Sequence, residues 1–188
     1  MIGRLDGHRE KVREVFEKLC WAVGARVHYK TGRWQLLPEI HVCSREEAGL
    51  VIGQEGVTSK ALARMWRILC KIGEVPTNAI GQFYVAVVPE HKSSRLEPIG
   101  LEDLIRAILD TLAMGAVSPE ISETEGSAAV TIKATPTTAH QRFPVMDVLQ
   151  ILRVWGQRND KTVNLSVRGF ANERPRGGNA AWERRMDD

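Results

Sequence analysis

One succession of patterns occurs twice along this chain, and it narrows the open folds more than any other feature. In the first half, Val12, Phe16, Leu19 and Val23 recur at helical spacing, so residues 8–23 read as an amphipathic helix. A hairpin is expected next: 26–29, a turn at Lys30, Thr31 and Gly32, then 33–37. Pro38 leads into Glu39, Ile40, His41, Val42 and Cys43, a short alternating β-rich segment. Ser44, followed three residues later by Glu47, has the spacing of a capping box and starts a short helix over 45–52. The turn Gly53, Gln54, Glu55, Gly56 opens a longer helix, 57–72, with Leu62, Met65, Trp66, Leu69 and Ile72 on one face and Gly73 at its end. An apolar strand, 83–88, closes the unit.

The second half repeats the scheme. A helix over 101–114 ends at Gly115, strands follow over 117–122 and 128–134, a helix covers 144–155, and 161–168 alternates cleanly. A repeat of about eighty to ninety residues points to a duplicated α+β module rather than a solenoid. Each copy should be a three-stranded sheet covered on one face by helices. Breaks fall at 89–99, with two prolines and a Ser-Ser pair, and after Gly169, dividing the chain into 1–90, 91–170 and an Arg-containing flexible tail, 171–188.

A chain of 188 residues, 43% apolar and 26% charged, can bury a real core. Arg9, Lys11, Arg13, Glu14, Glu17 and Lys18 interrupt the start, so a signal peptide or membrane span is not expected and a cytoplasmic location is. Cys20, Cys43 and Cys70 are widely spaced with no CxxC pair, which suits reduced core thiols. The net charge of +3 is small, and the basic excess lies wholly in 1–90.

The segment that carries chemistry runs from Gly49 to Leu62, GLVIGQEGVTSKAL. Two glycines three apart, between a short and a long helix, form a turn whose missing Cβ atoms let a sugar-phosphate backbone approach closely. The following helix offers first-turn amides and the positive end of its dipole to a phosphate. Nothing here calls for a metal, cofactor or catalytic base, and the GxxxxGK[ST] spacing of a P-loop is absent.

This stretch resembles the VIGxxGxxI/L signature of KH (K-homology) domains, with spacing closest to KhpA-type proteins and NusA KH modules. The helix and strand ahead of the core strand-helix-helix-strand resemble the type II arrangement. The resemblance implies tandem type II modules, with Gly53, Gln54, Glu55 and Gly56 clamping about four unpaired nucleotides. It also implies that Val51 and Ile52 line the apolar side of the groove. The second copy departs at the decisive place. Between Ala134 and Pro144 stands TPTTAHQRF, with no glycine pair, so that copy keeps the fold and loses the grip.

Thr58 and Ser59 accompany the loop. Lys60, Arg64, Arg67 and Lys71 form a basic stripe opposite the apolar face of the long helix, an arrangement that also describes an ordinary solvated surface. Lys60 is the best placed of them for a phosphate, Arg64 the next. Glu55 opposes binding, because a carboxylate repels the backbone, and affinity is expected to be modest. His28, His41 and Cys43 lack metal-site spacing. The Arg174-Pro-Arg-Gly-Gly stretch resembles a single-strand-binding tail, balanced by acids nearby.

Three functions follow from these readings. The first is a non-catalytic binder of single-stranded RNA, with single-stranded DNA open, associated with ribosomal or RNA-metabolism proteins and with homo-oligomers open. The second is a KH-fold interaction scaffold or adaptor with little nucleic-acid binding. The third, an enzyme, lacks paired carboxylates, a nucleophile and base, or a cofactor loop. Both faces of 83–88 are apolar, so cover is expected from the other unit, the Trp34 segment or a second chain, with the two units packed rigidly.

Overall fold

The computed structural model describes residues 2–31, 36–75, 83–88 and 99–171, side chains of 2–9, 31 and 36 excepted. The expected turn at Gly32, the Trp34 segment, the break at 89–98 and the tail beyond 171 fall wholly or largely outside these residues. The first half runs α1 (Ile2–Ala22), β1 (Arg26–Thr31), β2 (Leu36–Val42), α2 (Arg45–Ile52), a 3-10 turn (Gln54–Gly56), α3 (Val57–Ile72) and β3 (Val85–Val87). The second runs α4 (Leu101–Thr111), β4 (Glu120–Glu123), β5 (Ser127–Lys133), α5 (Val145–Arg158) and β6 (Thr162–Arg168). The protein is α+β, with two mixed three-stranded sheets and five α-helices among the described residues.

The sheets share one topology. In each, the middle strand pairs antiparallel with the strand before it and parallel with the strand after it: β1-β2-β3, with Val27 opposite Ile40 and Ile40 opposite Val85, and β4-β5-β6, with Ile121 opposite Val130 and Val130 opposite Leu165. Alternation sets the faces. Ala128, Val130 and Ile132 are buried, and their partners Val163, Leu165 and Val167 pack on the same core, while Ala129, Lys133, Asn164 and Arg168 face solvent.

Local boundaries have identifiable causes. At α2 Glu47 N donates to the cap Ser44 Oγ at 3.2 Å, as the spacing predicts, while the Glu47 carboxylate reaches one residue further back and accepts from Cys43 N at 2.8 Å. β3 is shorter than the apolar run 83–88, because Phe83 N donates to Ser59 Oγ at 3.0 Å and Ser59 Oγ donates to Phe83 O at 3.2 Å. That exchange with α3 takes the Phe83 backbone groups out of the ladder. α4 stops three residues before 114. Ala113 turns left-handed at φ 55° and Met114 N bonds Leu109 O at 2.8 Å, which swings Met114 into the core. α1 begins earlier than its apolar spacing indicates, at Ile2.

Helices fill the space between the sheets. Phe16 packs on Trp66 and Phe83 with ring centroids 4.8 and 5.4 Å apart, and Tyr29 lies over Trp66 while its hydroxyl donates to Arg13 O at 3.2 Å. Across the middle of the molecule α1 packs on α4 and α3 on α5, so each major helix meets its counterpart from the other half. One continuous set of buried side chains, from Val12 through Trp66 and Leu104 to Trp155, joins the halves. Their contact is therefore through helices. Tyr84, just ahead of β3, is 78% exposed, whereas Ala86 and Val88 on the same side are partly buried.

Candidate functional site

The loop between α2 and α3 is built from an unusual run of backbone conformations. Gly53 sits at φ 72°, Glu55 at φ 54° and Gly56 at φ 75°, three left-handed values within four residues. At Gly53 the lack of a side chain is required by contact as well as by φ, because a Cβ there would lie 2.5 Å from Thr58 Oγ1. Gly53 N closes α2 by donating to Gly49 O at 2.8 Å. α3 then starts at Gly56 with no side-chain cap, its Val57 N donating to Gln54 O.

The named residues separate into two groups. Gln54, Glu55 and Lys60 are exposed, and Gly53 and Ile52 are partly so. Lys60 Nζ donates to Glu55 O at 2.8 Å, which folds the lysine stem back over the turn. Val51 is wholly buried, so it supports the loop from beneath and only Ile52 reaches the surface. Thr58 and Ser59 are also buried. Ser59 is held by Phe83, and Thr58 Oγ1 accepts from Gln150 Nε2 of α5 at 3.0 Å. Gly56 is buried in the turn.

Arg64 is committed elsewhere. Its Nε donates to both oxygens of Asp147 at 2.7 and 2.8 Å, and its terminal nitrogen also donates to that carboxylate. This bond to Asp147 raises the guanidinium pKa further above its ordinary value. Arg67 and Lys71 continue the exposed stripe along α3.

Two features escaped the sequence pattern. α2 packs beside β3, an edge strand, and Tyr84 stands exposed where that strand begins, next to the Phe83 that bonds Ser59. Its place in an apolar run marked Tyr84 as a residue needing cover. The other is the side of α5 that borders the loop, since nothing in the spacing of 144–158 says which helix it packs on.

On the opposite face of the first sheet the His28 and His41 rings stack with centroids 4.7 Å apart. No group of three His, Cys, Asp or Glu side chains able to hold a metal occurs among the described residues, nor is any of their helices long and apolar enough to cross a membrane. Cys20 and Cys70 are buried and Cys43 is partly exposed. No family model, curated protein or solved structure matches this chain.

Proposed function

We propose that the protein binds single-stranded RNA without catalysis, gripping the backbone at Gly53–Gly56 as a tandem type II KH protein whose second copy lacks the loop. The observation that carries this reading is the left-handed turn Gly53–Gly56, exposed at Gln54 and Glu55, leading into the start of α3, a sixteen-residue helix with no side-chain cap. A phosphate arriving at such a turn would meet the positive end of the α3 dipole and amide donors at the helix start. The helix and strand order of the first half supports the same reading, and the second half repeats it without the short helix ahead of α5. A base bound beside that backbone would lie along the α2 and β3 edge, where Ile52 offers apolar contact and Tyr84 a ring for stacking. The exposed edge at Tyr84 and Val87 is also what favours the second reading, a scaffold for another protein.

Fluorescence anisotropy with a short unstructured RNA tests the proposal. Gln54→Asp adds a carboxylate beside Glu55 while keeping both glycines, and should weaken binding about five- to a hundredfold, as one added charge near a phosphate costs roughly 1 to 3 kcal/mol. Glu55→Lys should tighten binding. The affinity should fall with salt on a shallow slope of about two to four released charges, and a hairpin should bind less well than an open strand. Absence of binding by the parent chain, or equal binding by the parent and both variants, gives the function to the scaffold reading.

A further inference from the structure

We infer that the second half of the chain adds a cation to the loop: Arg153 of α5 takes a phosphate of the strand held at Gly53–Gly56. The inference rests on the reading of that loop as a single-strand RNA grip and adds a residue from outside it.

The charges at the loop make the need plain. Glu55 presents an exposed carboxylate, Lys60 is folded onto the Glu55 carbonyl, and Arg64 is neutralised by Asp147. At the turn itself the Glu55 carboxylate offsets the Lys60 ammonium, so a polyanion arriving there meets little net attraction.

Two contacts fix how α5 lies against it. Thr58, at the start of α3, meets Gln150, whereas Arg64, farther along α3, meets Asp147, nearer the start of α5. The helices therefore run antiparallel, and residues of α5 beyond Gln150 pass toward the loop. Thr58 Oγ1 is the same atom that lies beneath Gly53, so the Gln150 amide is already at the floor of the turn. Farther along, Arg158 donates from a terminal nitrogen to Trp21 O at 2.9 Å, which ties the end of α5 to the end of α1.

Arg153 lies between these two anchors, about 4.5 Å along the axis from Gln150 at the usual helical rise. It belongs to the outward edge of α5 with Met146, Gln150 and Gln157, while Ile151, Leu152, Val154 and Trp155 are buried. Arg153 is exposed, and unlike Arg64 and Arg158 it enters no ion pair or hydrogen bond among the described residues. A guanidinium on a long stem, placed by packing and left unpaired, suits a phosphate oxygen. The second half, without a glycine turn of its own, thus completes the site of the first.

The test uses the full chain and a labelled, unstructured oligouridine of about ten nucleotides, titrated at several salt concentrations. Arg153→Ala should weaken binding about three- to tenfold and lower the salt slope by about one, and Arg153→Lys should keep most of the affinity. Arg106→Ala, on α4 and paired with Glu102, should bind like the parent. If the parent binds and Gln54→Asp weakens it while Arg153→Ala matches the parent in affinity and slope, the inference falls and the loop reading stands. If the parent does not bind the oligonucleotide, the loop reading falls and takes the inference with it. A loss in Arg153→Ala that thermal melts trace to unfolded protein also overturns the inference.

Discussion

Arg64 and Asp147, eighty-three residues apart in sequence, hold each other across the two halves through a fork of hydrogen bonds from one guanidinium to both carboxylate oxygens. Asp147 is nearly buried while Arg64 is about half exposed, so the arginine serves the carboxylate more than the reverse. Arg64→Ala would strand that carboxylate at the helix contact. The loss should be roughly 1 to 3 kcal/mol, below the range for a fully buried pair because water reaches one side. Urea unfolding by circular dichroism measures it, and the double variant with Asp147→Ala should cost less than the two single changes added together.

Because one core runs through both halves, the chain should unfold in a single transition. Separately expressed segments 1–90 and 99–171 should each be far less stable than the whole, since α1, α3, α4 and α5 would expose the faces they bury against one another. Two halves that melt independently at the temperature of the intact chain would contradict this.

Glu55→Gly should raise stability and affinity together. A non-glycine residue at φ 54° costs on the order of 1 kcal/mol, of which part returns as unfolded-state entropy when glycine replaces it, so a gain of about 0.5 kcal/mol is expected in thermal melts. Removing the carboxylate should at the same time tighten RNA binding severalfold. Gly53→Ala should act in the opposite sense, since its Cβ would collide with Thr58 Oγ1.

Tyr84→Ala tests the stacking position. The ring is largely exposed, so the melting temperature should hardly change, whereas the loss of one stacked base should cost roughly 1 to 3 kcal/mol of binding. Tyr84→Phe should bind like the parent.

The three thiols should differ in reactivity. Burial pushes the Cys20 thiol well above its ordinary pKa, and the nearby Glu17 carboxylate pushes it further, so the group stays protonated at mildly alkaline pH. Cys70 is likewise buried. An aromatic disulfide reagent at pH 8 should therefore modify Cys43 first and reach Cys20 and Cys70 only after denaturant is added.

The order of elements was legible because it follows from periodicity: Val12, Phe16 and Leu19 on α1, the Ser44 and Glu47 cap, and the clean alternation of β6 are all local signals. The ends of elements were less so. β3 is cut short by Ser59, twenty-four residues away, and α4 is stopped by the burial of Met114 rather than by Gly115. At the loop the two glycines announce themselves, whereas the inward direction of Val51 depends on how α2 packs on α3 and β3, and the contacts of Thr58 and Arg64 on packing between halves. The apolar character of 83–88 was read as a sign of cover; Ala86 and Val88 are partly buried and Tyr84 is exposed, a difference that spacing alone does not carry.

The matching of α1 with α4 and α3 with α5 gives the molecule the internal symmetry of a dimer held within a single polypeptide. Separate subunits paired in this way would dissociate as they became scarce. Tethered ones face each other at an effective concentration of about millimolar, whatever their abundance. A surface assembled from both halves therefore keeps its composition at any dilution. The two halves need not be alike either: the first carries a glycine turn that the second lacks, while both contribute side chains to the contact between them.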